Sequence, residues 1–182
     1  TQRCNLAELY IGLLKRSVRK DMLESRSPLV LWDYCCERRA MINNFTARNL
    51  FQLEGTNPYS KTFGDVGDIS SLCRFGWYQW CWFYNQKASF PRQREQIGRC
   101  LGPSVDNGSD MVQLVINKKG QVFHRRTLRP LSEDDFLDPE KRKLMDEFDA
   151  AMKKSLGDTF ELPKSRGATR DRVTQLHESD DD

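Results

Sequence analysis

The stretch RFGWYQWCWFY, residues 74–84, carries three of the chain's four tryptophans, Trp77, Trp80 and Trp82, with Phe75, Tyr78, Phe83 and Tyr84 around them. Read as a strand, it sends Phe75, Trp77, Cys81 and Phe83 to one face, interrupted by Gln79, and Tyr78, Trp80, Trp82 and Tyr84 to the other. Two readings compete. Exposed rings beside basic residues make a base-stacking platform, worth about 1 to 3 kcal/mol per base. Buried rings make a core, each removing about 150 to 250 Å² from water. Only Arg74 and Lys87 stand close by in sequence, and leaving so many rings wet costs too much. The stretch reads as core and packing surface, with one or two of Tyr78, Trp80 and Trp82 left to show at the surface or to dock on neighbouring helices.

Downstream the pattern stays β. QIGRCLGP reads as a short strand stopped by Gly102-Pro103, and SVDNGSD as a loop. MVQLVIN, the turn KKGQ and VFHRRTLRPL read as a hairpin, because Gly120 supplies the turn between two apolar-rich runs. Residues 73–131 are thus expected to form a small antiparallel barrel. Residues 132–157 return to a helix, with Ser132 and Asp135 as capping positions. Residues 158–182, ending HESDDD, hold too few apolar side chains to fold and read as a disordered acidic tail.

Upstream, EGTNPYSKTFGDVGDISS is rich in Gly, Asp and Ser and marks residues 46–72 as a linker, with room for one helical turn at 58–63. Before it lie two helices. Leu6, Leu9, Tyr10, Leu13, Leu14 and Val18 form an apolar stripe over 3–24. Ser27-Pro28 reads as a cap and first position for a second helix reaching about Asn44.

The whole chain has 182 residues, 38% hydrophobic and 30% charged, with a formal net charge of +3. No run approaches the roughly 18 to 20 apolar residues of a membrane span, and no secretory leader pattern opens the chain. It begins at Thr1, inside what reads as a helix, so it is read as a piece of something longer. None of the six cysteines forms a C-x-x-C pair and both histidines lie far from them, which argues against a zinc site and for buried, reduced thiols. Basic clusters (KRSVRK, PRQR, NKKG, HRRTLR) and an acidic end suit nucleic-acid contact, and equally suit solvated faces. No Ser/His/Asp, Cys/His or phosphate-loop pattern supports an independent enzyme.

In order along the chain, NLAELYIGLLKRSVRKDM, SPLVLWDYCCERRAMINN, NPYSKTFGDVGDISSLCRFGWYQW, IGRCLGP and GQVFHRRTLRPL resemble the integrase region of copia-type retrotransposon polyproteins, over about residues 3–131. The resemblance implies an α+β chain: residues 1–45 as the C-terminal helices of an RNase H-like catalytic core, then the linker, then an SH3-like barrel. In the family, two aspartates and a glutamate hold two divalent ions, Mg²⁺ or Mn²⁺, for DNA strand transfer. Glu8 matches the glutamate position, as catalytic residue and metal ligand, and the two aspartates would lie upstream of Thr1. Two-metal chemistry needs carboxylates from several elements, so this chain alone is expected to bind no metal and to retain at most nucleic-acid binding. The implied partners are DNA and the rest of the polyprotein, with self-association through helices cut from their sheet, and no membrane. The implied location is the nucleus, or cytoplasmic particles, and not the secretory route. The competing reading is an inactive relic or a protein-interaction module.

Beyond Glu8, the candidates for phosphate contact are Lys15 and Arg19, which share its side of the helix, and Arg125, Arg126 and Arg129. Alternation on a single strand would send Arg125 and Arg129 to one face and Arg126 to the other. Each equally suits a solvated or edge-guarding role. Gly12, one turn after Glu8, would permit a close backbone approach or serve packing.

Overall fold

The computed structural model describes residues 5–47, 53–85, 90–91, 94–104 and 111–157. The stretch 158–182 read as disordered, and loop residues 105–110, lie outside the described residues. Helix α1 spans Leu6–Ser25; Asn5 caps it by accepting from Ala7 N at 3.1 Å, and Arg26 ends it in the left-handed region at φ 52°. Only the second half of its apolar stripe is covered. Val18 and Met22 are buried, whereas Leu9 and Leu13 are 48% and 41% exposed.

Ser27 does not cap the second helix. It is fully buried, and its hydroxyl accepts the Trp77 indole N–H at 3.1 Å. A 3₁₀ turn at Leu29–Leu31 comes first, and helix α2 runs Trp32–Phe45. Arg39 grips Asp21 with both ends of its guanidinium, Nε donating to Oδ2 at 2.8 Å, which ties α2 to α1. The helix expected in the connector is present as α3, Pro58–Phe63, capped by Asn57 through Ser60 N at 2.7 Å.

The aromatic stretch departs most from its reading as one strand. Ser70–Cys73 form the short helix α4, and strand β1 is Gln79–Tyr84. Between them, Arg38 of α2 donates to Leu72 O and Phe75 O at 3.4 and 2.9 Å, and Gln79 Oε1 accepts from Gly76 N at 2.7 Å. Tyr78 takes φ 55°, which breaks the alternation, so neighbours Trp77 and Tyr78 enter the same core cluster. Burial nonetheless wins: Phe75, Trp77, Tyr78, Trp82 and Phe83 are all buried.

The remaining strands are β2 (Glu95–Pro103), β3 (Gln113–Ile116), β4 (Val122–Arg125) and β5 (Leu128–Pro130). Gly102 does not stop β2. At φ 126° it forms a bulge that shifts the register after Cys100, and Pro103 still faces Gln113. The run VFHRRTLRPL, expected as one strand, breaks at Arg126 and Thr127, because Leu128 to Pro130 pair with β1 instead, where Arg74 also donates to Leu128 O at 2.8 Å. The order is β4-β3-β2-β1-β5, antiparallel throughout.

That order forces a strong curl. The end of β4 and the start of β5 are three residues apart, a reach of about 11 Å, while the edges of a flat five-stranded sheet stand about 19 Å apart. Across the curl, the Phe83 and Phe123 rings lie 5.0 Å apart, and Arg125 Nε donates to Tyr84 O at 3.3 Å. The ladder does not close, since β4 and β5 are its two edges. The result is a curled open sheet rather than a sealed barrel.

The helix expected over 132–157 is two: α5, Glu133–Leu137, and α6, Pro139–Leu156. Pro139 disfavours helical geometry at the residue before it, and Asp138 is extended at ψ 119°, from where it caps α6 through Glu140 N at 2.9 Å. Ser132 and Asp135 form the expected cap, as a reciprocal box. The end of α6 lies against the β3–β4 turn, with Leu156 and Ser155 beside Gly120.

One core cluster takes Val18 and Met22 from α1, Cys35 from α2, Leu101 from β2, Ile116 from β3, and Phe148 and Met152 from α6, together with Trp77 and Tyr78. Elements on both sides of the 46–72 connector therefore share a core. Arg99 of β2 sits at its rim, 3.3 Å over the Trp80 ring, bonded to Tyr78 O and Asp149 at 3.1 Å each. A second cluster, with Phe75, Cys81, Phe83, Cys100 and Val115, fills the inside of the curl. The described cysteines are free thiols; Cys35, Cys81 and Cys100 are buried, Cys36 partly so, and Cys73 exposed.

Candidate nucleic-acid interface

The expected phosphate contacts fall into separate places. Glu8 lies in the first turn of α1, exposed. Among the described residues it belongs to no group of three or more His, Cys, Asp or Glu side chains able to hold an ion. Gly12 has open space around it, with no atom of this chain within 4 Å of a Cβ built there. Lys15 and Arg19 are exposed farther along the same helix.

Arg125 and Arg129 do come together, though not by strand alternation. Arg125 ends β4 and Arg129 lies in β5, with Arg126 in the break between them. Arg125 and Arg129 both line a cleft of about 1100 Å³ between the curled sheet and α6, and Arg126 does not. The curl is what unites them, because it turns the two sheet edges toward one another.

Arg125 is held by its own strand as well as by Tyr84 O across the curl. Its Nη1 donates to His124 O at 2.9 Å and its guanidinium lies 4.4 Å over the Phe123 ring. Arg129 is more heavily engaged. Its Nη1 donates to Asp135 Oδ2 at 3.1 Å, its Nη2 stands 4.0 Å from Glu95 Oε2, and it lies 5.7 Å from the centre of the Trp82 ring. Part of its charge is therefore neutralised within the molecule.

The same cleft gathers further basic residues, from the clusters NKKG and PRQR and from α6. Lys118 and Lys119 occupy the β3–β4 turn, where Asn117 Oδ1 accepts from Lys119 N at 2.9 Å and Gln121 N at 3.0 Å, and Gly120 takes φ 75°. A positive φ is what a tight hairpin turn asks of its glycine, so the NKKG spacing itself raises both lysines into water. Arg94 joins them beside Tyr84, and Lys141 from α6. Facing them, Asp138, Glu140 and Glu147 make the α6 side acidic. The cleft is mainly basic along the sheet, where Glu95 is the exception, and mainly acidic along the helix, where Lys141 pairs with Asp138 at 3.5 Å.

Comparison with protein-family models, with curated proteins and with solved structures finds no match to this chain. The chain has mixed helix and strand with a five-stranded antiparallel open sheet, and no described helix is long and apolar enough to cross a membrane.

Proposed function

We propose that this chain binds nucleic acid through the basic sheet wall of the cleft, and that it is a portion of a copia-type retrotransposon integrase. In this reading the N-terminal helices are the last elements of an RNase H-like core, and the curled sheet is an SH3-like module. The observation that carries it is the strand order: a meander β1 to β4 with β5 returned beside β1, the arrangement of a small SH3-like barrel, which brings Arg125 and Arg129 into one basic cleft. DNA in the nucleus is the proposed target. Strand transfer belongs to the intact polyprotein, with Mg²⁺ or Mn²⁺ held by carboxylates that include Glu8. No step is assigned to this chain alone.

One further observation bears on partners. Ile11 on α1, Val30 in the 3₁₀ turn and Trp32 at the start of α2 are 51%, 53% and 60% exposed. Large apolar side chains left in water are suited to contact with another protein surface, here the rest of the polyprotein or a second copy. They also support the second reading, a protein-interaction module without nucleic-acid affinity.

Fluorescence anisotropy of labelled DNA across a salt series separates the two. Affinity should fall steeply with salt as counterions are displaced. Replacing Lys118 and Lys119 by alanine should weaken binding to all sequences alike and lower the salt slope by about one for each phosphate no longer neutralised. Absence of binding even at low salt would reject the nucleic-acid reading and leave the interaction module.

A further inference from the structure

We infer that Tyr84 is a base-stacking residue and that the cleft beside it takes single-stranded nucleic acid in preference to duplex. The inference rests on the nucleic-acid reading above and names its substrate class. It begins from an exception. Tyr84 ends the aromatic stretch at 50% exposure, while Trp82 and Phe83 just before it are 8% and 2% exposed. The chemistry that drives the other rings inward leaves this one half in water.

Its backbone is held on both sides. Tyr84 O accepts from Arg125 Nε at 3.3 Å, and the next amide, Asn85 N, donates to Arg94 O at 2.8 Å. The ring borders the cleft in company with Arg94, Arg125, Lys118 and Lys119. Beside it, the Arg125 guanidinium covers the half-buried Phe123 ring, adding a second flat surface on which a base can lie. A half-exposed ring on an anchored backbone, with cations around it, is what a single-strand binder uses, since bases stack on the ring while the cations track the phosphates.

Duplex suits the site less well. Its base faces are already stacked on one another, so an isolated ring gains a partner only at a helix end. The mainly acidic wall of Asp138, Glu140 and Glu147, in which Lys141 pairs with Asp138 at 3.5 Å, also acts differently on the two forms. A single strand can run along the sheet side alone, whereas a duplex carries phosphates on both flanks and brings one row against the carboxylates.

The test uses the full chain and two labelled probes of one mixed sequence, a DNA single strand and its duplex, at fixed low salt. Single strand is expected to bind more tightly. Tyr84→Ala should weaken single-strand binding between about fivefold and a hundredfold, with duplex binding unchanged. Tyr84→Phe should retain affinity and Tyr84→Leu should lose it, because leucine keeps apolar bulk without a π face. Duplex binding as tight as single strand, or full affinity in Tyr84→Leu, overturns the inference while the nucleic-acid reading stands. Failure of both probes to bind overturns both.

Discussion

At the scale of single residues, Asp135 shows how much one carboxylate can organise. It is buried and accepts from Lys141 Nζ at 2.7 Å, Ser132 N at 2.9 Å, Arg129 Nη1 at 3.1 Å and Trp82 Nε1 at 3.2 Å. The bonds from Lys141 and from the Ser132 amide, with smaller help from Trp82 and Arg129, hold its carboxyl far below the usual carboxylate range, and burial opposes them. A carboxyl depressed on folding stabilises the folded state fully above its unfolded pKa, about 3.9, and that contribution is lost as pH falls toward the folded value. Asp135→Asn should therefore cost about 2 kcal/mol near neutrality, since buried donors lose a charged acceptor. It should also flatten the dependence of stability on pH below about 4. Urea midpoints measured over an acid series check both, and a variant that tracks the unsubstituted protein at every pH would clear Asp135 of the role. The cap formed with Ser132 was legible because it spans four neighbouring residues. Trp82, Arg129 and Lys141 arrive from β1, β5 and α6, and no local pattern announces them.

At the scale of elements, the glycine in the middle of β2 matters more than its place in the sequence suggests. A Cβ at Gly98 would stand 2.9 Å from Ile116 O, 2.9 Å from Val115 Cγ1 and 3.0 Å from Phe83 Cε1. Two of these neighbours belong to the adjoining strand and the third to a packed ring, so none yields easily. Gly98→Ala is expected to cost about 1 to 3 kcal/mol through overpacking, read from the denaturation midpoint. Gly12→Ala, in open space on α1, is the matched control and should be neutral or stabilising. A Gly98→Ala protein as stable as that control would contradict the close packing of β2 on β3. Elements set by local signals were readable: α3 behind Asn57-Pro58, the hairpin around Gly120, and the cap of α5. Elements set by distant partners were not. The segment leading into β1 is held by Arg38 from α2, and the separation of β5 from β4 goes with pairing to β1.

At the scale of the molecule, the change in composition over 46–72 marks a connector in the chain, but the packing crosses it. Trp77 donates to Ser27, fifty residues earlier, and the largest cluster draws on α1, α2, β2, β3 and α6. Cooperative unfolding follows from a shared core. Helix loss followed by far-UV circular dichroism and exposure of Trp77, Trp80 and Trp82 followed by fluorescence should coincide in one transition. Helices melting before the tryptophans are exposed would mean that the connector divides the stability as it divides the composition. The basic cleft was legible only as scattered clusters, because proximity of Arg94, Lys118, Arg125 and Arg129 is a product of the curl, and curl is written in which strand pairs with which.

The buried thiols have a consequence for chemistry rather than for packing. Thiolate is the form that reacts with electrophiles, and burial raises the pKa of Cys35 to about 12 and of Cys100 to about 11, with Cys81 raised as well. These three are both shielded and protonated while the core is intact, whereas Cys73 faces the solvent. Alkylation is thus gated by opening of the core: the surface thiol reports on the reagent, and the hidden ones keep time on how often the fold comes apart.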